Sequence, residues 1–264
     1  MNAPTHNVVV FEGMQANPVQ IKGEGAPVVF LHGLLGPEWS ACLDTLAGTH
    51  RVIAPAHAGS DEPDDLRRFE GIYDLIIYYD DLFNRLGLEG FDLIGHSFGG
   101  MVAAEYAAAY PRRVQKLVLI DALGLWRDDI PVEDYLLVPA ARQIELLLGD
   151  PNREDIKARL ALPDDPAARI AAILARITAL ASASHFIWPI PERGLQKRLH
   201  RVVSPTLIVW GENDRFVPLV YAEEFARQIV HSRVNRVPQA GHAPHLDQPA
   251  AVAALIEAFL RAAD

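Results

Sequence analysis

Phe91-Asp92-Leu93-Ile94-Gly95-His96-Ser97-Phe98-Gly99-Gly100-Met101-Val102-Ala103-Ala104-Glu105-Tyr106 is the stretch that decides the fold. It runs from an apolar strand, through Gly-x-Ser-x-Gly, into a helix of small residues. A serine at such a strand-to-helix turn has its hydroxyl pushed out of the backbone toward a ligand. The flanking glycines let neighbouring chain pass where a β-carbon would clash. The helix behind Ser97 aims its first N–H groups at any negative charge forming there.

The serine needs a base and an acid, and later strands supply candidates. Thr206-Leu207-Ile208-Val209-Trp210 leads into Gly211-Glu212-Asn213-Asp214, and Val234-Asn235-Arg236-Val237-Pro238 leads to Gln239-Ala240-Gly241-His242. Ser97, Asp214 and His242 thus each follow a strand, where the loops of an α/β sheet gather to form sites. Asp121 competes with Asp214, because it ends Leu117-Val118-Leu119-Ile120 in the same way. Its alternative role is a cap at the start of the following segment.

Working outward, residues 7–32 read as three strands, Val8–Phe11, Val19–Lys22 and Pro27–Leu31, and Arg51–Ala54 and Val114–Ile120 as further strands. Helices are expected at 37–47 and 72–87. The alternation predicts an α/β fold: a mostly parallel sheet with helices on both faces. It breaks after residue 121. From Leu123 to Val203 helices are expected near 132–149, 152–161, 166–184 and 191–200, with no strand. It resumes with helix 219–230, strand 233–237 and helix 247–262.

With Leu31-His32-Gly33, Gly95-His96-Ser97-Phe98-Gly99-Gly100, Gly211-Glu212-Asn213-Asp214 and Gly241-His242-Ala243-Pro244-His245 in this order, the chain resembles the α/β-hydrolase family over nearly its whole length. The resemblance implies an eight-stranded sheet with a helical cap after the sixth strand. It sets a core of residues 1–121 and 204–264 and a cap of residues 122–203. It also implies Ser97 as nucleophile, His242 as base, Asp214 as acid, and an oxyanion hole from the N–H groups of Leu34 and Phe98. His32 is expected to hold the oxyanion loop, His96 to face away from the serine and pack, and His245 to support the last helix. His57-Ala58-Gly59-Ser60 is shorter than the loop of many relatives. Dehalogenases and epoxide hydrolases of the family attack with aspartate, so Ser97 excludes them.

Net charge is −10, from 24 basic and 34 acidic residues among 264. That argues against nucleic acid and anionic membrane surfaces as partners. The lone Cys42 makes an intrachain disulfide impossible and reads as a small buried residue. The start, Met1 to Asn7, lacks the pattern of a secretory leader, and no uninterrupted apolar run approaches membrane-spanning length, so a cytoplasmic location is expected. No metal-ligand spacing and no phosphate or dinucleotide loop is evident, so neither metal nor cofactor is expected. A homodimer through the cap stays open.

Apolar residues in the cap and oxyanion loop, among them Leu35, Trp126, Leu136, Phe186 and Trp188, with Val217 of the acid loop, are the candidate pocket wall. They point to a small-molecule substrate, a small or medium apolar ester. The alternative is carbon–carbon bond hydrolysis of ring-cleavage products. Against it stand the loop Gly33-Leu34-Leu35-Gly36-Pro37-Glu38-Trp39, which lacks serine, and Ala243, where such enzymes usually carry tryptophan. Lactonase, thioesterase and perhydrolase reactions would use the same groups. From a different class, a small-molecule receptor with a moving lid shares the triad.

Overall fold

The computed structural model describes residues 3–135, 137–150, 152–153 and 161–262. Eight strands form one sheet in the order β1-β2-β4-β3-β5-β6-β7-β8. They are β1 (Thr5–Val8), β2 (Asn17–Lys22), β3 (Pro27–Leu31), β4 (Arg51–Pro55), β5 (Phe91–His96), β6 (Val114–Ile120), β7 (Thr206–Gly211) and β8 (Ser232–Val237). β1 pairs antiparallel with β2 and β2 antiparallel with β4. Every later pairing is parallel.

Strand periodicity explains the two-sided core. Val29 and Leu31 of β3, Leu117 and Leu119 of β6, and Ile208 and Trp210 of β7 point to one face. Their neighbours Val28, Phe30, Val118, Ile120, Leu207 and Val209 point to the other. Side chains alternate across a strand, so a continuous apolar run serves a sheet buried on both sides. The first face carries the helices Ile72–Arg85 (α2) and Phe98–Ala109 (α3), while Ala41–Leu46 (α1) packs on the opposite face with the helix Pro249–Arg261.

Several boundaries differ from the sequence reading, for local reasons. The first strand is Thr5–Val8, because its ladder to β2 pairs Thr5 with Gln20 and Val8 with Asn17, leaving Val9 and Phe11 exposed. The helix expected at 37–47 starts only at Ala41, where Ser40 Oγ accepts the Leu43 N–H. The helix expected at 247–262 runs Pro249–Arg261, and a separate short helix, Pro244–Asp247, precedes it, since Pro249 has no N–H to continue the first.

Between β6 and β7 the described residues contain helices and no strand. Pro139 shortens the helix expected at 132–149 to Ala140–Leu147. The expected helix at 191–200 is instead two short 3₁₀ turns, Leu195–Lys197 and Leu199–Arg201, after Gly194 at φ 91°. Leu136 and most of the expected helix at 152–161 lie outside the described residues. Pro166–Ile187 forms a 22-residue helix, capped by Asp165, which accepts the Ala168 N–H. By length and composition it is apolar enough to cross a membrane, at mean hydropathy 1.6, although Arg169 and Arg176 interrupt the run.

Candidate functional site

All four candidate polar groups sit at the carboxyl edge of the sheet: Ser97 after β5, Asp121 after β6, Asp214 after β7, His242 after β8. Ser97 adopts φ 56°, ψ −117°, a conformation rare for a residue with a β-carbon. Close packing holds it there. A β-carbon on Gly95 would lie 2.2 Å from the Gly99 carbonyl oxygen, and one on Gly99 would lie 2.2 Å from that of Leu31. Glycine is therefore required at both positions. The first turn of α3 carries no acidic residue, so its N–H groups present an uncompensated positive end beside Ser97.

The hydroxyl of Ser97 donates to His242 Nε2 at 2.8 Å, and His242 Nδ1–H donates to Asp214 Oδ2 at 2.8 Å. The side chains of His242 and Asp214 are fully shielded from solvent. The other oxygen of Asp214 accepts the Phe216 and Val217 N–H groups at 2.8 and 2.9 Å, which fixes the carboxylate plane. The Phe216 and His242 rings make a T-shaped contact, 4.6 Å between centroids. The backbone N–H groups of Leu34 and Phe98 have no acceptor among the described residues.

Asp121 does not cap the next segment. It is fully buried at φ 43°, and its Oδ1 accepts the Gly211 N–H at 3.0 Å. Burial, then the nearby Asp214, push its carboxyl well above the usual range.

Three buried histidines, His32, His57 and His96, form a neutral scaffold. His32 Nδ1–H donates to the Gly33 carbonyl at 2.8 Å, and its Nε2 accepts the His57 N–H at 3.0 Å. His57 Nε2–H returns a bond to the His32 carbonyl at 2.7 Å, and its Nδ1 accepts the Tyr79 hydroxyl at 2.5 Å. These bonds assign one tautomer to each ring and tie the short loop after β4 to the Leu34 loop. Burial holds His32 down to about 4, and holds His57 and His96 well below the ordinary histidine range. His96 does not turn away from the serine: it lines the same cavity, and its Nε2–H donates to the His242 carbonyl at 2.7 Å. His245 lies in the short helix after His242, bonded through Nε2 to Glu38 Oε1 at 2.7 Å.

Ser97 and His242 open into a cavity of about 230 Å³, also lined by Leu34, Leu35, Glu38, Leu147 and Arg176. A second cavity of about 150 Å³ lies on the other side of Leu34, lined by Trp126, Tyr135, Trp188 and Phe216. Of the expected wall residues, Leu35 therefore borders the serine, and Trp126 and Trp188 border the second cavity. Phe186 and Val217 border neither. Phe186 is 2% exposed and stacks on Phe98, while Val217 is fully buried, with its carbonyl accepting the Trp210 indole N–H.

Sequence reasoning missed Arg176, Glu38 and Asp247. Arg176 is one of two arginines in a helix whose other residues before Thr178 are apolar, which was a usable signal. Asp247 Oδ2 accepts the Gly149 and Gly241 N–H groups at 2.9 and 2.8 Å, and the Ala243 N–H donates to the Leu147 carbonyl at 3.2 Å. Together these bonds bolt the end of the Ala140–Leu147 helix to the histidine loop. Two trios have metal-ligand proximity among the described residues, Glu38–His96–His245 and Asp121–Asp214–His242. In both, members already engage one another by hydrogen bonds.

A model of the alpha/beta hydrolase family matches residues 28–255. The chain is 27% identical to a 2-hydroxymuconate semialdehyde hydrolase of Pseudomonas sp. (strain CF600), covering all of this chain and 98% of that protein. It is 29% identical to a putative carbamate hydrolase, RutD, of Cronobacter turicensis, over 90% of this chain and 92% of that protein. The fold is similar to that of a meta-cleavage product hydrolase from Pseudomonas fluorescens IP01, with TM-score 0.76 at 21% identity, covering 98% and 97% of the two chains.

Proposed function

The chain belongs to the α/β-hydrolase family, and from that premise we propose that it is a serine hydrolase that cleaves a small or medium apolar ester through an acyl-enzyme. The observation that carries this reading is the unbroken Ser97–His242–Asp214 hydrogen-bond chain at the base of a cavity. Beside it lie the Leu34 and Phe98 N–H groups, which have no acceptor among the described residues.

Ser97 attacks the ester carbonyl as His242 Nε2 takes its proton. Asp214 stabilises the imidazolium and holds its orientation. The carbonyl oxygen becomes an oxyanion and takes the two N–H groups, each such donor contributing on the order of 10²–10³ in rate. The imidazolium then protonates the departing alcohol. Water, deprotonated by His242, releases the acid in the reverse sequence. The helical segment between β6 and β7 serves as a cap over this cavity. Its size, about 230 Å³, suits an acyl group of a few carbons.

Carbon–carbon bond hydrolysis of an acidic substrate is the second reading. It draws on the named relatives and on Arg176 in the cavity wall, where a guanidinium would take a substrate carboxylate. The test compares p-nitrophenyl esters, acetate through decanoate, with an acidic ring-cleavage product, using wild type, Ser97→Ala and Arg176→Ala. The ester reading expects fast turnover of short esters that disappears with Ser97. It is overturned if only the acidic substrate is cleaved and Arg176→Ala raises its KM by about tenfold or more.

A further inference from the structure

We propose that Asp121 is a positioning residue of the relay, a carboxylic acid that keeps its proton and directs it from Oδ2 to the carboxylate of Asp214. The proposal rests on Ser97–His242–Asp214 acting as a relay, whatever the substrate.

Asp121, Asp214 and His242 each present an atom within 4.8 Å of the others. Asp121 is fully buried, and its Oδ2 is shielded from solvent with no N–H or O–H partner among the described residues. The charged or titratable groups facing it are Asp214, His242 and, further off, Asp247, another acid in a buried position. Two carboxyl groups so close in a dry site do not both ionise; they share one proton.

Hydrogen bonds decide which group keeps it. Asp214 accepts three, from His242 Nδ1 and from the Phe216 and Val217 backbone. Asp121 accepts one, from Gly211. Donors favour the charged form, so Asp214 is the carboxylate and Asp121 the acid. A bare Oδ2 on Asp121 would be an unpaired buried acceptor, whereas a protonated one finds its acceptor in Asp214. Asp121 thus gives Asp214 a fourth donor and holds it in place while the imidazolium forms and decays. Its proton stays on Asp121 throughout.

The test is the pH dependence of kcat/KM for Asp121→Asn and Asp121→Leu, with phosphonate labelling of Ser97 as the rate where no ester is turned over. The acidic limb of that profile reports protonation of His242. Asparagine supplies an N–H in place of the O–H and still accepts from Gly211, so its limb coincides with that of wild type. Leucine removes the donor, strengthens Asp214 as a base, and moves the limb up by about half a pH unit or more. If Asp121 were instead ionised, both variants would remove a negative charge beside the imidazole, and both limbs would move down; that result overturns the proposal. Infrared spectra of protein with ¹³C-labelled aspartate need neither substrate nor the leucine variant. A protonated carboxyl stretch near neutral pH that vanishes in Asp121→Asn is expected, and its absence from wild type refutes the assignment.

Discussion

Helix α3 and the helix Pro166–Ile187 are both alanine-rich and apolar, yet they live in opposite surroundings. Eleven of the 12 residues of α3 are buried. Of the 22 residues in the other helix only Ala179, Ser182, Ala183 and Phe186 are buried, while Ile170, Ile173, Leu174 and Ile177 are exposed. α3 is enclosed by the sheet on one side and by the 195–201 turns on the other, where Arg198 grips Glu105 through two bonds of 2.6 and 2.7 Å. The outer helix docks along one edge, through Phe186 stacked on Phe98 and the Ser182 hydroxyl donating to the Ala58 carbonyl. Apolar composition therefore sets what a helix tolerates, and position in the chain sets what covers it. The strained Ser97 caps the inner helix, and the outer one places Arg176 in the cavity wall.

If the inner helix is the rigid, catalytic one, its changes must be severe. Replacing Ser97 with alanine is expected to lower kcat by about 10⁴-fold or more, read in the ester assay. Gly99→Ala adds a β-carbon 2.2 Å from a backbone oxygen that cannot yield. A loss of about 2–3 kcal/mol or more is expected by urea unfolding. Smaller effects follow from the neutral histidines around α3. His32 titrates at about 4 when folded against 6.5 when free. Between those values the unfolded chain binds the proton and the folded one does not, so stability is complete above 6.5 and falls as pH drops toward 4. Thermal midpoints across that window should show the decline, and His32→Gln should make it shallower, with His57 and His96 still contributing. On the outer helix, Ile170→Ser is expected to change stability by no more than about 0.5 kcal/mol. A large effect there would mean that the exposed stripe is covered in solution, and would break the contrast.

The sheet was legible because strands such as Val28–Leu31 and Leu117–Ile120 must be apolar on both faces, and few other structures require that. Ser97 and Asp214 were legible because each follows such a strand, and His242 because it stands after the last, more polar strand; the structure brings the three within hydrogen-bond reach. Residues whose placement depends on how the insertion docks were not. Arg176 reaches the cavity only because Phe186 and Ser182 seat its helix. Asp247 binds amides of Gly149 and Gly241, far apart in sequence, and no local pattern marks such a bond. Phe186 and Val217 were assigned to the pocket on hydrophobicity alone, which does not distinguish a wall from the packing behind it. Between Asp121 and Asp214, sequence left a choice; distance separates them, with Asp214 on His242 and Asp121 on Gly211.

The most direct test of a nucleophilic Ser97 is intact-protein and peptide mass spectrometry after exposure to a p-nitrophenyl phosphonate. The account predicts one phosphonyl group per chain, on Ser97, released p-nitrophenol in equal amount, and labelling slowed by orders of magnitude in His242→Ala. Label on another residue, or labelling of Ser97 that is equally fast without His242, would contradict it.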